Sequence, residues 1–196
     1  LKEQEEAIRA QEKEIRENNE FMIEALSSVV ESRSAETGEH TRRIKYFTRI
    51  MLKYLMKYFP KYGLTEAQVD MIARAAALHD IGKIGIPDAI LLKPGKLTPE
   101  EFEIMKTHAF LGGDIVEKIL AGNAEPELLQ MARDIVCCHH EKWDGSGYPR
   151  GLRGSEIPLS ARIMAVADVF DALVCKRVYK EAMAEEHAFS ILREDA

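Results

Sequence analysis

Apolar residues in this chain recur three or four positions apart, and no stretch alternates convincingly with polar residues, so helices are the regular elements able to bury them. Ile44, Phe47, Ile50, Met51 and Tyr54 keep this spacing until Pro60 and Gly63 end the run. Thr65-Glu66-Ala67-Gln68 reads as a capping box opening a helix that runs to about His79, where Gly82 and Gly85 break it. Thr98-Pro99-Glu100-Glu101 is a second capping box, with proline at the first helical position. Gly112, Gly113, Gly122 and Asn123 punctuate the next stretch, and Pro126 opens a helix reaching His139 and His140. Residues 144–158 hold four glycines and two prolines and read as a long loop. An alanine-rich helix then starts at Pro158-Leu159-Ser160 and runs to about Leu173, and a last helix covers 184–193. The pattern predicts an all-α fold with its chemistry at helix ends and in loops.

Residues 1–32 differ from the rest. They contain no Gly or Pro, are rich in Glu, Gln, Lys and Arg, and favour helix. Leu1, Ile8, Ile15, Met22 and Val29 fall seven apart, one apolar position of a heptad. The partner position is polar: Gln4, Gln11 and Asn18, or Glu5, Glu12 and Asn19. This predicts either a weak coiled coil that carries a signal from an upstream sensory or receiver domain and pairs two copies, or a solvated helix with a thin apolar stripe. The division expected is a connector helix over 1–32 and one domain over 33–196.

With 196 residues, 46% apolar and 31% charged, the chain can bury a core of its own. A net charge of −6 disfavours binding of a nucleic-acid polymer through a broad basic face, although bound cations would add local positive charge that this tally omits. No apolar run approaches the ~20 residues that span a bilayer. The opening Leu1-Lys2-Glu3-Gln4 is no secretory signal and lacks an initiating Met, which suggests a piece of a longer chain. Three cysteines, two of them adjacent (Cys137, Cys138), form no disulfide framework; buried inert thiols in a reducing cytoplasm are expected.

Chemistry concentrates in six histidines. His79-Asp80 and His139-His140 are adjacent pairs, and His40 comes directly after Glu36-Thr37-Gly38-Glu39. Imidazole mixed with carboxylate is the donor set of Zn, Fe, Mn or Ni sites, not of Ca or Mg alone. Glu36 and His40 lie four apart and would share a helix face; Gly38 weakens that helix by about 1 kcal/mol, so a cap at Thr37 is the rival geometry. Cys137-Cys138 directly precedes His139-His140, and four consecutive residues cannot all face one ion. His187 lies outside every cluster and is expected at the surface.

Taken together, Glu36-Thr37-Gly38-Glu39-His40, the run from His79-Asp80-Ile81-Gly82-Lys83 to Pro87-Asp88, Lys93-Pro94-Gly95-Lys96-Leu97, His108, the run from His139-His140-Glu141 to Gly147-Tyr148-Pro149, and Ala167-Asp168-Val169-Phe170-Asp171-Ala172-Leu173 closely resemble the HD-GYP family. This is a branch of the HD phosphohydrolase superfamily, and the resemblance covers about residues 30–194 in order. It implies an all-helical HD bundle, two or three divalent metal ions (often iron or manganese), and hydrolysis of cyclic di-GMP to linear pGpG, with GMP as the product of a further cut. Carried over position by position, the metal ligands would be Glu36, His40, His79, Asp80, His108, His139, His140 and Asp168. Asp80 would bridge two ions and Lys83 would hold a substrate phosphate oxygen, the two being the expected catalytic residues. Gly147, Tyr148 and Pro149 would meet a guanine, and Arg177 and Lys180 the second phosphate. Asp171 reads as a structural cap or a partner behind a ligand.

Such a centre suits the chemistry. A phosphodiester repels anionic nucleophiles, and paired cations roughly 3.5–4 Å apart activate a bridging water, bind the phosphate and steady the leaving oxygen. The sequence departs from the family at Ser34, at Val174-Cys175 and at Arg177-Val178-Tyr179, which puts loop geometry and ligand affinity at issue rather than metal binding; the sequence ends at Ala196, where the family typically continues into a Gly-His-Phe-Asp-Pro segment and a final helix, so the scaffold is expected to be incomplete at this end. Two alternatives stay open: a module that binds a cyclic dinucleotide or a partner with negligible turnover, and an HD hydrolase acting on another nucleotide.

Overall fold

The structure, a computed structural model, describes residues 2–34, 39–120, 125–175 and 182–194. Among these, the chain winds into α1 (Lys2–Arg33), α2 (Glu39–Tyr58), α3 (Glu66–Ala76), α4 (Asp88–Leu91), α5 (Pro99–Lys106), α6 (His108–Leu120), α7 (Pro126–Cys138), α8 (Leu159–Val174) and α9 (Glu185–Glu194). Short 3-10 turns lie at Pro60–Tyr62, Ile81–Gly85 and Gly154–Glu156, and there is no strand among the described residues.

Both capping boxes form. The Thr65 hydroxyl accepts from the Gln68 amide at 3.2 Å while the Thr65 amide donates to the Gln68 side chain at 3.0 Å. Thr98 and Glu101 make the same reciprocal pair at the head of α5. Each box satisfies two of the amides that a helix start leaves without an intrahelical acceptor.

The core is built where α2, α3, α7 and α8 meet. Ile44 and Leu52 from α2, Val69 and Ile72 from α3, Ile135 and Val136 from α7, and Met164 and Ala167 from α8 are buried together. Ala73, Ala75, Ala76, Ala132, Ala161 and Ala167 have no exposed surface. Side chains this small let helices pack closely.

Two expectations are corrected. The helix opened by Thr65 does not run to His79: α3 ends at Ala76, and residues 77–79 switch to tighter i→i−3 bonding, with Leu78 N–H on Ala75 O at 3.0 Å and His79 N–H on Ala76 O at 3.3 Å. That tightening turns His79 and Asp80 inward. Nor do Gly112 and Gly113 interrupt a helix. They lie inside α6 and are buried. A β-carbon on Gly112 would stand 2.4 Å from Val136, and one on Gly113 would stand 2.6 Å from the Cys137 sulfur, so both glycines permit the close crossing of α6 and α7.

α1 is two-sided. Ile23, Ser27, Val30 and Glu31 are buried against the bundle. The heptad positions Ile8, Ile15, Met22 and Val29 are exposed, joined by Phe21 and Leu26. Lys45 of α2 pairs with Glu20 and Glu24 along the same helix. Cys137 and Cys138 are buried as expected, and burial raises both thiol pKa values, that of Cys138 to about 11. Cys175 departs from the expectation: it is only half-buried, because α8 ends at Val174 and leaves it at the rim. His187 is exposed. No helix of the described residues is long and apolar enough to cross a membrane.

Candidate metal centre

Two groups of donor atoms converge where α2, α6, α7 and α8 approach the turn after α3. One is Asp80, His108, His139 and His140; the other is His40, His79 and Asp168; within each group the donor atoms lie within 4.8 Å of one another. Asp80 Oδ1 is 3.5 Å from His108 Nε2 and 3.8 Å from His139 Nε2, and Asp80 Oδ2 is 3.3 Å from His79 Nε2. Adjacency of His79 and Asp80 on one turn is what joins the groups. Of the residues read from the sequence as ligands, Glu36 lies outside the described residues, as do Arg177 and Lys180 among the substrate contacts.

The hydrogen bonds decide which ring nitrogens face the centre. His79 Nδ1 meets Ala76 O at 2.9 Å, His108 Nδ1 meets Met105 O at 2.7 Å, and His139 Nδ1 meets Val136 O at 3.0 Å. A carbonyl only accepts, so each Nδ1 is the protonated donor and each neutral ring offers its lone pair at Nε2. The Nε2 atoms of His108 and His139 then stand 3.4 Å apart, lone pair towards lone pair. Nε2 of His79 and Oδ1 of Asp80 are buried without a hydrogen bond. Buried polar atoms left this way are costly unless something binds them. A set of acceptors pointing at one another fits a divalent cation, and the imidazole and carboxylate donors suit transition metals.

Charge obeys the same logic. Burial lowers the pKa of His108, of His139 (well below the ordinary histidine value) and of His140 (to about 3), keeping these rings in the neutral, ligating form. Burial also opposes charge on His79, but the Asp80 carboxylate outweighs it and raises that pKa to about 9, a proton that a bound cation would displace. Asp80 itself, against its burial, is held well below the usual carboxylate range by Lys83 and His79. Lys83 Nζ stands 2.5 Å from Asp80 Oδ2.

Behind the first ring of donors lies Asp171. It has no exposed surface and takes His40 Nδ1 at 2.7 Å and the Arg43 guanidinium at 2.5 and 3.0 Å. This carboxylate fixes the His40 ring so that Nε2 faces Asp168, 3.6 Å away. Asp171→Asn is expected to weaken metal binding by about 10–100-fold with helix content intact, checked by competitive metal titration and circular dichroism.

The loop after α7 folds back over the centre. Tyr148 stacks on His140, with ring centroids 4.6 Å apart and planes at 28°, and its amide donates to His140 O at 3.1 Å. Gly147 sits so close to the chain that a β-carbon there would be 2.3 Å from Lys142 N. Glu141, buried, accepts from the amides of Arg150 at 2.7 Å and Leu152 at 3.0 Å and so ties the loop down. Pro149 is joined to Tyr148 through a cis peptide bond. Across the mouth, Phe102 meets Tyr148 edge-on at 5.9 Å, and Lys106 stands 5.4 and 5.8 Å from the two ring centres. The roles of Glu141, Arg43, Phe102 and Lys106 are not visible in the sequence; only the position of Glu141 directly after the histidine pair hints at one.

A family profile described as HD domain matches residues 24–196. The chain belongs to the HD domain family. Its motifs resemble those of the HD-GYP branch. A probable cyclic di-GMP phosphodiesterase from Vibrio cholerae is 51% identical over 175 residues, covering 87% of this chain and 39% of the relative. A cyclic di-GMP phosphodiesterase from Thermotoga maritima is 49% identical, covering 86% and 42%. A 3′3′-cGAMP-specific phosphodiesterase from Vibrio cholerae is 45% identical, covering 88% and 31%. This HD domain therefore spans about two fifths or less of the length of these relatives. Among solved structures, an HD-GYP protein from Bdellovibrio bacteriovorus shares the fold, with a TM-score of 0.54 and 21% identity over 80% of this chain and 45% of its own.

Proposed function

We propose that this HD domain is a metal-dependent phosphodiesterase that opens cyclic di-GMP to linear pGpG, with GMP as the product of a second cut. The observation that carries the reading is the pair of donor groups sharing the His79-Asp80 turn, with imidazole and carboxylate donor atoms aimed at common points. Relatives named for cyclic dinucleotides support the substrate class. Glu36, His40, His79, Asp80, His108, His139, His140 and Asp168 are the proposed ligands, for two or three ions, iron or manganese before others. When bound, such ions activate water, neutralise the phosphodiester and steady the leaving oxygen.

The protein's own groups do the rest. Asp80 holds a carboxylate between the two donor groups, and its neighbours keep it ionised. Lys83 carries a positive charge at the edge of the centre, where it would exchange Asp80 for a phosphate oxygen and hold the charge that develops there. Tyr148 covers His140 and gives a nucleobase a flat partner, with Gly147 and Pro149 shaping the backbone beneath it. Burial raises the Tyr148 pKa, so its hydroxyl stays protonated and can donate. Arg177 and Lys180 are proposed for the second phosphate, as fork and point charge.

Elemental analysis of anaerobically purified protein, with cyclic di-GMP turnover then measured on the same sample, tests this. Two or more equivalents of iron or manganese with linear product support it; tight binding of the dinucleotide without product by metal-loaded protein supports a binding module instead.

We further propose that residues 1–32 connect the catalytic domain, 33–196, to an upstream sensory or receiver domain, in a reducing cytoplasm that keeps the buried thiols of Cys137 and Cys138 reduced. The exposed stripe of Ile8, Ile15, Met22 and Val29 would pair two copies. Sedimentation is expected to report a dimer with α1 intact; a monomer at micromolar concentration overturns the pairing.

A further inference from the structure

The last three turns of α1 reach the chain beside each donor segment on the near side of the centre. Ser27 Oγ donates to Ala77 O at 2.7 Å, two residues before His79. Thr41, next to His40, donates to the Glu31 carboxylate. Ile23 and Val30 are buried in the core cluster, which couples the placement of α1 to the bundle. A small gap lined by Ser27, Val30, Glu31, Ala77, His79 and Asp80 is all that separates α1 from the donors.

Arg33 ends this series. Its Nη1 donates to Ile84 O at 2.8 Å and reaches Lys83 O at 3.5 Å. Its Nη2 reaches Ile86 O at 3.4 Å and pairs with Asp88 Oδ1 at 2.6 Å. The turn it holds, Ile81–Gly85, is a single short 3-10 stretch, bounded by Lys83 N–H on Asp80 O at 2.9 Å and Ile86 N–H on Lys83 O at 3.1 Å. Carbonyls at the C-terminal end of so short a turn, such as Ile84 O, lie past its own ladder, and a guanidinium fork satisfies several acceptors at once where an ammonium would not.

We propose that Arg33 is a positioning residue that fixes the Lys83 turn against Asp80, so that the placement of α1 becomes an input to the reaction. The proposal rests on the phosphodiesterase reading and on the role given there to Lys83. A displacement of α1 of the order of 1 Å would pass through the guanidinium to the backbone of Lys83, and errors of that size in placing a catalytic group cost about 10²-fold.

The test compares wild type, Arg33→Ala, Arg33→Lys, Asp88→Asn, Lys83→Ala and the Arg33→Ala/Lys83→Ala pair, on cyclic di-GMP and on the small ester bis(p-nitrophenyl) phosphate, with metal content and helicity measured on each. Arg33→Ala is expected to lower kcat by about 10–100-fold on both esters with KM within about threefold and metal retained. Arg33→Lys restores part of the loss, and Asp88→Asn stays within about threefold because the carbonyl bonds survive. In the Lys83→Ala background, removing Arg33 costs little more, since the two act as one unit. A kcat within twofold of wild type in Arg33→Ala, additive losses in the pair, or a fall in kcat matched by equal loss of metal overturns the proposal while leaving the phosphodiesterase reading in place. Should Arg33→Ala not fold, Arg33→Lys decides: full wild-type kcat there overturns it. Wild-type protein inert on both esters overturns the phosphodiesterase reading, and this inference falls with it.

Discussion

Asp80→Ala is expected to bring cyclic di-GMP turnover below detection, a loss of more than about 10³-fold, while the helical spectrum is unchanged. The side chain belongs to one donor group and adjoins the other, standing 3.3 Å from His79, 3.5 Å from His108 and 3.8 Å from His139. Its removal leaves a cluster of imidazoles with no carboxylate between them, and their affinity for cations falls. It also removes the anion beside Lys83 and the charge that raises the His79 pKa. The helices persist because Asp80 makes no apolar contact in the core cluster. Metal analysis, turnover and circular dichroism on one preparation check all three statements. Unchanged turnover by metal-loaded Asp80→Ala would refute the centre.

Gly82→Ala is expected to damage the fold itself. A β-carbon at this position would lie 1.9 Å from His108 O and 2.5 Å from Gly112 N, both backbone atoms of α6. No rotamer relieves such a clash, so the turn and the helix must separate. We expect a cost of about 3 kcal/mol or more and a fall in Tm of about 6–12 °C, measured by thermal unfolding. His108 and Asp80 would separate with them, so metal should be lost as well. Gly63 is the contrast: its φ is 60° but nothing lies within 4 Å, and Gly63→Ala should cost only about 1–2 kcal/mol.

These two residues show where sequence reasoning reached and where it stopped. His79-Asp80 is conspicuous as a pair, and the capping boxes at Thr65 and Thr98 fix helix starts because their partners are three residues away. Local signals of that kind are complete within a few residues. That His40 meets Asp168 is a different matter: 128 positions separate them, and only the resemblance brought them together. Gly112 and Gly113 misled because a glycine that ends a helix and one that lets two helices touch leave the same mark. Glu141 and Arg33 went unread because they bind peptide groups, Glu141 in the loop that follows it and Arg33 some fifty residues on, and a peptide group carries no sequence signature. The adjacent rings of Phe102, Tyr148 and His140 are likewise a product of loop closure.

The crowding around Gly82, Gly112 and the buried alanines bears on how this scaffold can change over generations. At Gly82, Gly112 and Gly113 there is no room for even a β-carbon, so substitutions there should be strongly disfavoured. Phe102 at the rim is 44% exposed, so substitutions there should cost the fold little. New ligand preferences would arise by exchange at the rim, over an interior that stays as it is.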